Sequence, residues 1–230
     1  MKNSVKHLAM AIAVAALTQS ASAIPTLTIS DGLGNSVTIS DNGAAVFVGT
    51  VAGAPADTVG LGGVVSWAGS LGTLEWVITV DTGVTKPVLG TATSPHMDLS
   101  YQATSIGAAT MKIIFSDDGF TYSGGLVDSW GGTTASGAGN SQDNHVLVNG
   151  SSIIHVGPFG PGGFNGSGSA AVTLAPRDVL SLVVDITHTG LGVQVSSGNK
   201  DVEIPDGGTT IALLGVALMG IGGLRRKLRI

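Results

Sequence analysis

The chain has 230 residues, 43% of them hydrophobic, with ten lysines and arginines, fifteen aspartates and glutamates, and no cysteine. The lack of cysteine excludes disulfides, thiolate metal sites and cysteine nucleophiles. Six of the basic residues lie in the two ends, so the stretch from Ile24 to Ile204 sets four basic residues against fourteen acidic ones, a net charge of −10; such a balance repels phosphate backbones and excludes nucleic acid as a partner.

The N-terminus carries Lys2 and Lys6, then an uncharged, Ala-rich apolar run from Leu8 to Leu17, then Ala21-Ser22-Ala23. A basic start, an apolar run of about ten residues and small residues at −3 and −1 predict a helical secretory signal peptide over residues 1–23, with Ala21 and Ala23 preceding a cut before Ile24. The run is too short for a stable membrane span and apolar all round, unlike the stripe of a core helix.

From Ile24 the pattern is period two. Leu27 and Ile29 alternate with Thr26, Thr28 and Ser30, and Val37 and Ile39 repeat the pattern beyond Asp31 to Asn35. Asp41-Asn42-Gly43 then leads into a third run, so three meandering strands are expected to open the domain. Similar runs follow at Leu74 to Val80, Met97 to Ala103, Thr110 to Ser116, His145 to Val148, Ser152 to Val156, Ala170 to Leu174, Val179 to Thr187 and Gly192 to Ser196. In the run from Val179, Leu180, Leu182, Val184 and Ile186 fall on one face, as in a strand with a buried side. Ten to twelve strands separated by Gly, Asp, Asn, Ser and Pro predict an all-β domain over 24–196, an antiparallel β-sandwich or jelly-roll. Glycine, 36 in all, concentrates in Gly119 to Gly139 and Gly157 to Gly168. These stretches read as long exposed loops and as the places where a binding surface would sit.

The catalytic motifs of hydrolases, zinc proteases and nucleotide-binding enzymes are missing, and Glu75 and Glu203 are the only glutamates, too few for a glutamate pair of the glycosidase type. No enzymatic activity is expected. His145 and His155 can meet across a hairpin through Asn149-Gly150, but two histidines fall short of the three or four ligands of a metal site; with His96 and His188 they read as polar strand residues, and no metal site is assigned. Asp117-Asp118-Gly119 and Asn140 to Asn144 offer oxygen ligands without a complete calcium loop, and turn chemistry accounts for both. No cofactor is expected, structural calcium being the alternative. Among the tryptophans, Trp76 reads as core. Trp130 lies in the Gly-rich Asp128-Ser129-Trp130-Gly131-Gly132 and is the candidate for an exposed, sugar-stacking aromatic.

Residues 197–203 read as a linker. The end of the chain, 204–230, is tripartite. It begins with Ile204-Pro205-Asp206-Gly207-Gly208, continues with the apolar run Ile211 to Leu224, and closes with Arg225, Arg226, Lys227 and Arg229. As a helix the apolar run covers about 21 Å, less than a hydrocarbon core of about 30 Å. The basic cluster belongs on the cytoplasmic side, leaving the domain outside. This order resembles the PEP-CTERM class of bacterial sorting signals. The resemblance implies that Ile204 to Gly208 form the recognition motif, that Ile211 to Leu224 hold the inner membrane transiently, and that Arg225 to Arg229 act as the stop. It further implies an exosortase-type protease-transpeptidase as the processing partner and the cell surface or exopolysaccharide matrix as the destination. The motif departs from the usual Val-Pro-Glu-Pro towards Pro-Asp variants. The expected protein is an exported, non-enzymatic surface or matrix component of structural or adhesive type; the alternatives are a carbohydrate- or calcium-binding module and, less favoured, a secreted hydrolase.

Overall fold

A computed structural model describes residues 24–73 and 75–205. The signal helix, Leu74 and the chain from Asp206 onwards, with the sorting helix, lie outside the described residues. Fourteen strands form two seven-stranded antiparallel sheets. The first contains, in spatial order, β11 (Ser151–Phe159), β10 (Ser141–Val148), β13 (Leu180–His188), β8 (Ala109–Asp117), β1 (Thr26–Asp31), β2 (Ser36–Ser40) and β3 (Ala45–Val48). The second contains β12 (Gly162–Leu174), β9 (Tyr122–Thr134), β14 (Gln194–Glu203), β7 (Met97–Ser105), β6 (Trp76–Val84), β5 (Val64–Leu71) and β4 (Val51–Gly53). The chain passes between sheets at both margins, from β3 to β4 and from β11 to β12. The β-sandwich expectation holds, with more strands than the alternation alone suggested.

The alternating apolar residues supply the core. Leu27, Ile29, Val37 and Ile39 are fully buried, as are Leu180, Leu182, Val184 and Ile186 on β13. Met97, Leu99 and Ala103 face them from β7, and Phe115 packs from β8. Each such aliphatic or aromatic side chain contributes about 1.5–3 kcal/mol on burial, which is how a chain without disulfides holds its sandwich. Asn149 and Gly150, at φ 50° and 80°, make the two-residue turn between β10 and β11; both positions need the left-handed region, and Asn-Gly is the pair that enters it at least cost.

Three expectations are corrected. Gly119 to Gly139 is mostly strand, since β9 occupies Tyr122–Thr134, and Gly162 to Gly168 opens β12. β9 and β12 pair over thirteen residues, from Gly162↔Thr134 to Leu174↔Tyr122. Within β12, Gly166 and Gly168 serve close approach rather than turning. A Cβ on Gly166 would stand 2.7 Å from Phe159 Cζ, and one on Gly168 2.6 Å from Ile154 Cγ2; their absence lets β12 at the margin of one sheet lie against β11 at the margin of the other. The third correction is the linker: residues 197–203 are strand, because β14 runs to Glu203 between β7 and β9 and pairs with both.

A polar layer interrupts the core where β10 faces β7, β9 and β14. Lys200 Nζ lies 2.7 Å from Asp128 Oδ1 with both side chains fully buried, and Asn144 Nδ2 donates to Asp128 Oδ2 at 2.8 Å. Beside it, Gln142 Nε2 donates to Thr133 O at 2.9 Å and Gln142 Oε1 accepts from the Tyr101 hydroxyl, which accepts from Trp130 Nε1 at 3.2 Å. Burial lowers the Lys200 ammonium to about 8, against the opposing pull of Asp128.

Inward-facing Gly83 lies under the ring of Phe115, which a Cβ would strike, whereas the nearest atom to a Cβ on Gly163 is 4.0 Å away. Overpacking a fixed core ring costs about 1–3 kcal/mol. Gly83→Ala is expected to lose stability in that range by urea unfolding, while Gly163→Ala stays within about 0.5 kcal/mol of the parent.

Candidate functional site

The last strand sets the position of the sorting signal. β14 ends at Glu203, and Pro205, having no N–H to donate, cannot extend the ladder. Ile204 still packs on the core, and exposed Pro205 passes over Gly125. Ile24 is 64% exposed two residues before β1. Register places both termini of the domain at one end of the sandwich: Thr26 pairs with Ser116, Val202 with Met97 and Val84 with Asp98, and Lys86 bonds Asp117 across the same end at 2.6 Å. The remaining sorting residues, Asp206, Gly207, Gly208, Ile211, Leu224, Arg225, Arg226, Lys227 and Arg229, lie outside the described residues, as do Ala21 and Ala23. Among the described residues no helix is long and apolar enough to cross a membrane.

Among the described residues, two histidine–carboxylate groups have donor atoms close enough to hold a cation. Next to the sorting junction, His96 Nε2 is 2.8 Å from Asp201 Oδ2 and 4.0 Å from Glu203 Oε2. Neighbouring Asp98 is raised above the ordinary carboxylate range chiefly by burial and also by Asp201. The second group is on the outer face of the first sheet. His145 and His155 are partners in the β10–β11 register and stack at 4.4 Å and 7°, so the expected meeting across the Asn149-Gly150 turn is found. Sequence reading missed the third member, Asp143, which lies 2.7 Å from His155 Nε2 and 3.6 Å from His145 Nε2. A register irregularity between Gln142 and Asn144 brings Asp143 alongside them, and Gly157, at φ 124°, leaves room for its carboxylate. Only the i, i+2 spacing of Asp143 and His145 hinted at this.

The other candidates are engaged internally. Trp130 is 2% exposed, on β9 rather than in a loop. Phe159 and Phe164 pack edge-on against it at 5.1 and 4.8 Å, so Trp130 offers no face to a sugar. Asp117 is buried and bonded to Lys86 and Thr85. Asn140 bonds the Ala135 and Ser136 carbonyls and Gln194.

At the far end from the termini a cleft of ≈ 420 Å³ is bordered by Asp31, Leu33, Glu75, Thr110 and His188. His188 is buried against Trp76, with ring centroids 4.9 Å apart. Ser105 Oγ donates to Gly107 O at 2.9 Å and therefore accepts from His188 Nδ1–H at 2.7 Å; His188 Nε2 then accepts from Ser196 Oγ at 2.8 Å. This neutral tautomer agrees with a His188 pKa lowered by burial to about 4.

Residues 204–228 match the VPDSG-CTERM motif, a PEP-CTERM-like sorting signal; this chain has Ile204 and Gly207 where the motif's name has Val and Ser. No curated protein matches the chain. Among solved structures it is similar to a carbohydrate-binding module from the β-sandwich superfamily with promiscuous specificity, at 9% identity and TM-score 0.34 over 78% of this chain and 84% of that one. It is also similar to a GH31 alpha-xylosidase from Xanthomonas citri, at 8% identity and TM-score 0.22 over 75% of this chain and 30% of that one. A GH86 protein in complex with neoagarooctaose gives 13% identity and TM-score 0.24 over 79% of this chain and 28% of that one. Likenesses this distant transfer no ligand and no activity. The sorting signal implies an exported, surface-directed protein.

Because folded His188 resists protonation to about 4 while an unfolded histidine takes a proton near 6.5, the unfolded state binds more protons between these values. Stability supplied by His188 is full above about pH 6.5 and is lost as pH falls towards 4. Urea unfolding at pH 7 and pH 4.5 should show the parent losing on the order of 2 kcal/mol more than His188→Gln over that interval.

Proposed function

We propose that this protein is exported, held briefly in the inner membrane by its apolar tail, cut by an exosortase-type enzyme next to Pro205, and deployed at the cell surface or in the exopolysaccharide matrix as a non-enzymatic structural or adhesive component. The observation that carries this reading is the VPDSG-CTERM match at 204–228, beginning one residue after the last strand ends. A processing enzyme needs an extended segment clear of the fold, and Pro205 ends the ladder at that point. Ile204 anchors the preceding residue to the core, so the domain stays folded while the motif is presented. The acidic surface suits a protein kept soluble outside the membrane.

The non-enzymatic part of the proposal rests on how the acidic and basic side chains are used. Asp117, Asp128 and Asp201 each face a lysine or histidine within 2.8 Å, and His188 at the far-end cleft bonds the hydroxyls of Ser105 and Ser196, both of them fully buried. The carbohydrate-binding alternative had Trp130 as its stacking residue, and that side chain is inside the core.

The test is intact-mass analysis of the released protein in the native host, for the parent and for Pro205→Ala. The parent is expected to have lost Ile211 to Ile230, and Pro205→Ala to remain in the membrane fraction at full length. A released parent that retains Ile211 to Ile230 overturns the proposal.

A further inference from the structure

The buried group formed by Lys200, Asp128 and Asn144 has an arrangement that a simple ion pair does not need. Lys200 and Asp128 belong to adjacent strands of the second sheet, β14 and β9, whereas Asn144 comes from β10 in the first sheet. All three side chains are fully buried. One carboxylate serves both neighbours: Oδ1 faces the amine at 2.7 Å and Oδ2 the amide nitrogen at 2.8 Å. The amine and the amide are therefore held side by side, bridged by a group able to move a proton between them. Lys200 is flanked in register by Leu99 and Trp130, so water is kept from its nitrogen. One atom in the group is left over: Asn144 Oδ1 is buried without a partner, a condition that ordinarily costs stability.

We infer that Lys200 and Asn144 are precursors of an intramolecular isopeptide bond, with Asp128 as the proton shuttle. In the first step Asp128 takes a proton from the Lys200 ammonium, leaving a neutral amine and a neutral acid in place of two buried charges. A half-turn of the Asn144 amide puts Oδ1 where Nδ2 now lies, and the Asp128 acid donates to it. That contact polarises the carbonyl and gives the unpaired oxygen its partner. The Lys200 Nζ lone pair attacks Asn144 Cγ and forms the Nζ–Cγ bond. Nζ then gives up a proton, relayed by Asp128, to the departing Nδ2, the Cγ–Nδ2 bond breaks, and one ammonia leaves as the carbonyl re-forms. The amide nitrogen retains one hydrogen, Asp128 keeps the proton taken in the first step, and net charge is conserved without any oxidant, reductant or cofactor. Burial, which brings the Lys200 amine to about 8, makes its unprotonated form accessible near neutral pH.

The product is a covalent tie between the two sheets, placed on the strand that leads into the sorting tail. It does for a chain without cysteine what a cross-sheet disulfide does elsewhere. Its existence is independent of tail processing, so the two proposals fail separately.

The test is mass spectrometry of the full chain, with intact mass read together with tandem sequencing of proteolytic fragments to fix the termini. The expected result is a polypeptide lighter than its sequence by one ammonia, and a branched peptide joining the segment with Asn144 to the segment with Lys200. Lys200→Arg, which keeps the positive charge, and Asp128→Asn, which keeps the shape, are each expected to restore the unmodified mass. A parent chain of unmodified mass overturns the inference, and this result requires no variant to fold. Loss of one water instead of ammonia, or a branch at any residue other than Asn144, also overturns it.

Discussion

A lysine with no exposed surface constrains everything around it. Taking an ammonium and a carboxylate out of water costs several kcal/mol per ion, recovered only if the pair is close and its remaining donors and acceptors are met. In this sandwich the requirement fixes three strands at once. β14 and β9 must be adjacent for Lys200 to reach Asp128, and β10 must stand opposite them for Asn144 to bond the second carboxylate oxygen. An apolar layer tolerates sliding of one sheet over the other, because its contacts are non-directional. A hydrogen-bonded layer does not, and the Gln142–Tyr101–Trp130 chain next to it locks the same pair of sheets a second time. The polar layer therefore sets how the sheets are superposed.

The glycines act at the margins of the sandwich as the polar layer acts in its middle. Phe159, Phe164 and Trp130 form one aromatic cluster, and it can close the gap between β11 and β12 because Gly166 and Gly168 present no side chains there. The rings fill space between the two marginal strands.

Where burial is one-sided, the sequence is easily read. The run Leu180, Leu182, Val184, Ile186 could only be a strand with one inner face, and the opening meander and the Asn149-Gly150 hairpin followed from turn chemistry. Where inward positions hold Gly, Asp, Asn, Gln or Lys, the alternation is still present but is masked by polarity. β9 alternates correctly, with Leu126, Asp128 and Trp130 inward, yet reads as loop because one inward residue is an aspartate and Gly124, Gly125, Gly131 and Gly132 flank the run. Residues 197–203 of β14 read as linker for the same reason, since Lys200 is an inward residue of a type that seldom is. The Asp143–His145–His155 group was half legible: the hairpin predicted the histidine pair, but the register irregularity that brings in Asp143 has no local signature. The sorting motif was legible because its parts are contiguous in the chain, whereas the lysine–aspartate–asparagine group joins residues from three separate strands.

Both termini of the domain leave from one end, and the C-terminal one continues directly from β14, which is paired on both sides. A pull applied through the tail acts along this strand and loads two ladders of hydrogen bonds in shear, all at once, instead of peeling them open one by one as it would at an edge. Resistance to such a pull is governed by the unfolding rate rather than by equilibrium stability. The C-terminal segment thus leaves the sandwich from a strand held on both sides, and the loops and cleft at the opposite end lie clear of that junction.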